Sequence, residues 1–126
     1  MDLLLDTHAF IWWAARDSRL SRVAKAAIAD GENRVVVSAV SVWEISIKRA
    51  AGKLDFQHDI LDALARTGFE SLDITARHAD RAGSLPLHHT DPFDRLLVAQ
   101  ATIEGLVLVT QDRQLLLYAA PVLGVS

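Results

Sequence analysis

The sequence predicts a single α/β domain with a mostly parallel sheet of four to five short strands and helices on both faces. Three observations point there. Short apolar runs alternate along the chain with stretches of helical spacing, which is the pattern of a parallel sheet covered on both sides. Acidic residues recur where the apolar runs give way to helix starts, the places that such a sheet gathers at one edge. The chain has 126 residues with no linker, repeat or low-complexity segment, so residues 1–126 read as one domain.

The elements follow in order. Asp2 to Leu5 reads as a short buried strand, and Thr7 to Ala15 as a helix. Ser18-Arg19-Leu20-Ser21 is a turn that caps a second helix running to about Asp30, with Gly31 as its stop. Arg34 to Ala39 is a β-branched strand, followed by a helix from Val40 to about Ala51 that ends at Gly52. His58 to Thr67 has helical spacing and stops at Gly68. Phe69 to Ile74 alternates like a strand, Thr75 to Gly83 is helical, and Ser84 to His89 is a loop. Pro92 to Glu104 is a helix closed by Gly105, Leu106 to Thr110 a strand, Asp112 to Ala119 a helix, and Val122 to Val125 a last strand.

Composition narrows the function classes. A chain of this length buries roughly two-thirds of its unfolded surface and needs no structural staple. It has no cysteine, which excludes thiol catalysis, zinc–thiolate sites and disulfides, and fits a reducing compartment. No apolar run is long enough for a membrane span, and Asp2 and Asp6 interrupt the N-terminal one, so the expectation is a soluble cytoplasmic protein without a signal peptide. Sixteen acidic against thirteen basic residues give a net charge of −3, which argues against a protein that coats nucleic acid by bulk electrostatics.

The acids that mark the junctions are Asp6, Glu44, Asp94 and Asp112. Each has a structural explanation. Ser41 and Glu44 have capping-box spacing, Thr90 or Asp91 suits an N-cap before Pro92 at the first helical position, and Thr110 suits a cap for a helix holding Asp112. A cap is worth roughly 1 kcal/mol. Two like charges about 4 Å apart at an effective dielectric near 20 repel by about 4 kcal/mol. Carboxylates brought together by the fold therefore need a cation or a proton, and divalent metal is the natural use of such a cluster.

The residues around these acids are similar to a known family. Leu3-Leu4-Leu5-Asp6-Thr7-His8, Val37 to Ile45 with Glu44 inside and Lys48 following, Asp91-Pro92-Phe93-Asp94-Arg95 with the segment to Ala101, and Leu108-Val109-Thr110-Gln111-Asp112 occur in the order seen in PIN-domain ribonucleases, and more narrowly in VapC-type toxins of bacterial toxin–antitoxin pairs. The resemblance spans essentially the whole chain. It implies a PIN-like three-layer sandwich and metal-dependent hydrolysis of RNA phosphodiester bonds. Asp6 and Asp94 would be the principal ligands for magnesium or manganese, one ion or two, with Asp112 and Glu44 completing the site directly or through water. An all-oxygen donor set suits such hard cations.

Other residues have competing readings. Lys48, four after Glu44, shares its helix face and either contacts an RNA phosphate or pairs with Glu44. Arg95 is a phosphate contact or a solvated side chain. Asp91 is a further ligand or an N-cap, and Thr7 and Thr110 orient ligands or cap helices. His8, two residues after Asp6, could approach the site but reads first as a structural helix-start histidine, and His88-His89 reads as a solvated loop pair. Phe10-Ile11-Trp12-Trp13 covers the whole circumference of a helix, so that helix is deeply buried or bears a partner surface. The partner reading takes Trp12, Trp13 and Trp43, with Ile47, as contacts for a second copy of the chain or for the antitoxin that the resemblance implies. Two rivals stand beside the nuclease. One is a catalytically silent PIN scaffold that binds RNA or protein. The other is a receiver-like magnesium-binding phosphoacceptor, which would require an acidic pair where Asp6 stands without an acidic neighbour.

Overall fold

A computed structural model describes residues 1–87, 90–112 and 122–124. Strands β1 (Asp2–Leu5), β2 (Arg34–Ser38), β3 (Glu70–Leu72), β4 (Val107–Thr110) and β5 (Val122–Gly124) form one sheet in the order β3-β2-β1-β4-β5. Every neighbouring pair is parallel, with Leu5 opposite Val37 on one side and Val109 on the other. The chain leaves the central β1 to build β2 and β3 on one flank, then returns to build β4 and β5 on the other. The switch point therefore lies beyond the carboxyl ends of β1 and β4, where a doubly wound sheet opens a crevice.

The described helices are α1 (Thr7–Ala15), α2 (Arg22–Ala29), α3 (Ala39–Ala50), α4 (Ile60–Thr67), α5 (Ala76–Ser84) and α6 (Pro92–Glu104). Alternation along the strands sends Leu3, Leu5, Val35, Val37 and Val109 to one face, where they meet Phe10, Trp12, Ala24, Ile45 and Ile60. Leu4, Val36 and Leu108 go to the other, against Val40, Leu97, Val98 and Ala101. Both faces are covered, which is why the strands are apolar at nearly every position. A fully buried side chain such as Leu4 or Leu5 contributes about 1.5–3 kcal/mol. Truncating Leu5, which leads directly into Asp6, would cost about 2–5 kcal/mol once the cavity is counted.

Several local expectations need correction. Ser41 and Glu44 form no capping box: Ser38 closes β2 and accepts the Val40 N–H at 3.0 Å, so α3 begins earlier and both residues lie inside it. The second helix ends at Asp30 in an extended conformation, and Gly31 has no left-handed φ. Gly68 and Gly105 do end α4 and α6, with φ of 72° and 67°. β3 is shorter than Phe69 to Ile74, since only Glu70 to Leu72 pair with β2. The helix expected from Asp112 to Ala119, after Asp112, and the pair His88-His89 fall outside the described residues. No described helix is long and apolar enough to cross a membrane.

The tryptophans divide. Trp12 is 4% exposed and belongs to the core, its indole between the His8 ring at 5.8 Å and the Arg19 guanidinium at 5.2 Å. Offered as a partner contact, it is buried together with Thr7, Ala9, Phe10 and Ile11 of α1 and presents a partner with little surface. Trp13 is half-buried, 6.0 Å from Phe69. Trp43 is 56% exposed, with Ile47 exposed beside it on α3.

Candidate active site

Asp6 follows the last residue of β1 and caps α1, its Oδ1 accepting the Ala9 N–H at 2.8 Å. Its Oδ2 accepts the hydroxyl of Thr110, the last residue of β4, at 2.6 Å. Thr110 Oγ1 in turn accepts the Asp112 N–H at 3.0 Å. Capping and site-building are thus not alternatives for Asp6, because one carboxylate oxygen does each. Burial is the main cause that pushes Asp6 up to a pKa of about 6, with the Glu44 charge adding to it against the Thr110 and Ala9 hydrogen bonds and His8.

Glu44 comes to the same place from α3 and is buried. Its Oε1 accepts from Thr7 Oγ1 and its Oε2 from Lys48 Nζ, each at 2.5 Å. Burial opposes the charge on Lys48, but the Glu44 hydrogen bond and the charges of Glu44, Asp91 and Asp94 outweigh it and hold its pKa above the ordinary lysine value. Lys48 therefore forms the expected ion pair. Asp91 caps α6 through Phe93 N–H at 2.8 Å and Asp94 N–H at 3.4 Å, placing Asp94 in the first helical turn.

These elements surround a cleft of about 320 Å³ that Asp6, Glu44, Asp94 and Asp112 all line. Asp91, Lys48, His8 and Gln111 complete its wall. All four acids expected to converge do so. Asp91 is both a cap and part of the wall, and His8, read as structural, also reaches it; the adjacency of His8 to the Asp6 turn was the available signal. Gln111 was missed, although its position between Thr110 and Asp112 placed it there. A cavity of about 350 Å³ elsewhere is lined by Trp12, Trp13, Arg16, Leu20 and Lys25, which supply no acid for this chemistry.

Arg95 does not belong to this wall. Its guanidinium is buried and donates to the carbonyls of Pro86 at 3.0 Å and of Ala82 and Leu85 at 2.9 Å, tying the end of α5 to α6. The expected phosphate contact is therefore corrected to a structural clamp, since its donors are spent on backbone oxygens.

Five carboxylates against one lysine make the cleft strongly negative, and the amino ends of α1 and α6 offset only part of this. Among the described residues no three acids, histidines or cysteines are grouped closely enough to enclose an ion. The donors are oxygens spread around a solvent-sized space, which fits a hard cation that keeps several waters and takes one or two carboxylates, and does not fit a dehydrated all-protein cage.

Residues 3–121 match the family model described as the PIN domain. The chain belongs to the PIN-domain family. This PIN domain is 34% identical over 116 residues to Ribonuclease VapC22 of Mycobacterium tuberculosis, covering 90% of the chain and 88% of that protein. Its fold is similar to that in VapBC2 of Rickettsia felis bound to a promoter DNA fragment, with a TM-score of 0.72 and 15% identity over the full length of both chains. DNA-bound VapBC of Salmonella typhimurium gives a TM-score of 0.67 at 16% identity, covering 98% of each chain. At those identities the two structures speak to the fold, a parallel sheet between helical layers.

Proposed function

We propose that this PIN domain is a metal-dependent endoribonuclease and the toxin of a toxin–antitoxin pair. The observation that carries the reading is the convergence of Asp6, Glu44, Asp94 and Asp112 on one cleft at the switch point of the sheet. The identity to Ribonuclease VapC22 supports RNA as the substrate, and the VapBC structures that share its fold support an antitoxin as partner.

Magnesium or manganese, when bound, supplies an activated water and neutralises charge on the phosphate. Asp6 and Asp94 are the residues to hold it, with Asp112 in the same lining. Thr110 fixes Asp6 by donating to the oxygen that does not cap α1. The reaction is hydrolysis: a water oxygen bonds to phosphorus, the bond to the leaving ribose oxygen breaks, and that oxygen takes up a proton. The chain's part is to position the phosphate and to hold the carboxylates where a cation can neutralise them.

The partner surface is assigned to Trp43 and Ile47. A groove of about 310 Å³ runs beside Trp43 and is lined by Val40, Phe93 and Leu96, so one copy of the chain or the antitoxin covers an apolar face that water does not favour. Cellular RNA as the substrate makes the cytoplasm the site of action in this reading. The test is to incubate the purified chain with cellular RNA, with and without magnesium or manganese, and to map the cut ends. Metal-dependent new ends support the enzyme. RNA or antitoxin binding without turnover would instead favour a silent scaffold.

A further inference from the structure

We infer that Lys48 receives the RNA phosphate in the cleft, and that Ser41, Thr7 and Glu44 are positioning residues that hold it there; the inference rests on the ribonuclease reading above. The four side chains form one continuous chain of contacts. Thr7 Oγ1 lies 2.5 Å from Glu44 Oε1 and 3.1 Å from Ser41 Oγ. A hydroxyl has a single proton. The charged acceptor at the shorter distance takes the one on Thr7, so Ser41 donates to Thr7 at the longer contact. Thr7 and Glu44 are buried and Ser41 is completely so, which makes the arrangement rigid.

Both oxygens of Glu44 are thus held by donors of the chain itself, Thr7 on one and Lys48 on the other. The pair is asymmetric: the Glu44 side chain is 4% exposed and that of Lys48 is 32% exposed. The carboxylate is the buried anchor and the ammonium is the end that meets the cleft. An ammonium carries three N–H donors. Glu44 takes one, and the Phe93 ring, 5.8 Å away, supports the cation from another side. Trp43 packs edge-on against Phe93 at 5.2 Å and steadies that ring.

Lys48 offsets part of the charge of the surrounding carboxylates, and its ammonium, a third exposed, carries more donors than Glu44 uses. Among the described residues lining the cleft, Lys48 is the one lysine or arginine, and Arg95 is committed elsewhere. An RNA strand entering this negative space meets Lys48 as its fixed positive contact. Glu44 is on this account the anchor that holds Lys48 at the edge of the acidic cluster.

The test uses the purified full chain and the variants Lys48→Met, Thr7→Val, Thr7→Ser and Glu44→Gln. Three quantities are read: cleavage of cellular RNA, salt dependence of binding to a fluorescent single-stranded RNA in calcium buffer, and manganese affinity by calorimetry. Lys48→Met is expected to lower kcat/KM at least about tenfold and to reduce the salt slope by about 0.7, the value for one lost phosphate contact on a single strand. Manganese affinity should not fall in Lys48→Met, which takes a positive charge out of the cleft, and should fall in Glu44→Gln, which takes out a negative one. Thr7→Val should share the RNA defect and Thr7→Ser should relieve it. An unchanged salt slope in Lys48→Met overturns the phosphate contact. Wild-type kcat/KM in Thr7→Val overturns the anchoring of Lys48 through Glu44. If the wild-type chain binds RNA without cutting it, the nuclease reading fails while the slope still decides Lys48; if it neither binds nor cuts, both fall.

Discussion

Thr110 donates its hydroxyl to Asp6 at 2.6 Å, joining the ends of β4 and β1 at the switch point of the sheet. The bond leaves the other Asp6 oxygen to cap α1. Thr110→Val removes the donor at nearly constant volume and should weaken metal binding about 10–100-fold, as is usual when the group that orients a ligand is lost. Thr110→Ser should keep most of the affinity. Calorimetric titration with manganese checks this, and equal affinities in Val and wild-type proteins would separate Thr110 from the site.

The raised pKa of Asp6 predicts a pH dependence with a definite sign. The folded protein holds this proton up to about pH 6, against an ordinary value of 3.8. The stability contributed by protonated Asp6 is therefore fully present below the ordinary value and is lost as pH rises through about 6. In chelator, the Tm of the wild type relative to Asp6→Asn should fall across that interval. With magnesium the order reverses: the ion binds the ionised form, so its stabilising effect should be small near about pH 5 and large near about pH 7. A magnesium effect on Tm that is flat with pH would contradict the assignment of Asp6.

The tryptophans should behave oppositely. Trp12→Ala opens a cavity in the core and should cost about 3–5 kcal/mol in a denaturant titration. Trp43→Ala removes an exposed ring and should cost under about 1 kcal/mol, while weakening self-association in light scattering or binding of the antitoxin. If Trp43→Ala changes neither, the exposed face of α3 is not a partner surface.

Few cations line the cleft, so RNA binding should depend weakly on salt, on the order of two to four released ions instead of the six to ten of a strongly basic binder. Arg95→Met should destabilise the fold, because the carbonyls of Ala82, Leu85 and Pro86 lose their donor, yet leave the salt slope unchanged. A slope that falls with Arg95→Met would restore the phosphate contact that its burial argues against.

The architecture was largely legible because its signals are local. Gly68 and Gly105 stop helices where left-handed φ is needed, and Asp91 with Pro92 starts α6. Convergence of the acids followed from placing junctions at the carboxyl edge of a parallel sheet. Side-chain direction was not legible in the same way. Arg95 stands next to Asp94 in sequence, but the adjacent helical position turns it toward the end of α5. Trp12 and Trp13 form one apolar run, yet α3, β1 and β4 pack against α1 so that the first is buried and the second left half-exposed. Ser41 and Glu44 have capping-box spacing, but Ser38 reaches the helix start first.

The central claim is that the acidic cleft holds the metal that cleaves RNA, and Asp6→Asn and Asp94→Asn test it most directly. Asparagine caps a helix about as well as aspartate, so the fold should survive, while a neutral amide oxygen is a poorer ligand for magnesium. The measurement is cleavage of cellular RNA by each purified variant in magnesium, with circular dichroism confirming the fold. The account predicts folded proteins with activity abolished. Cleavage at the wild-type rate by folded Asp6→Asn would contradict it.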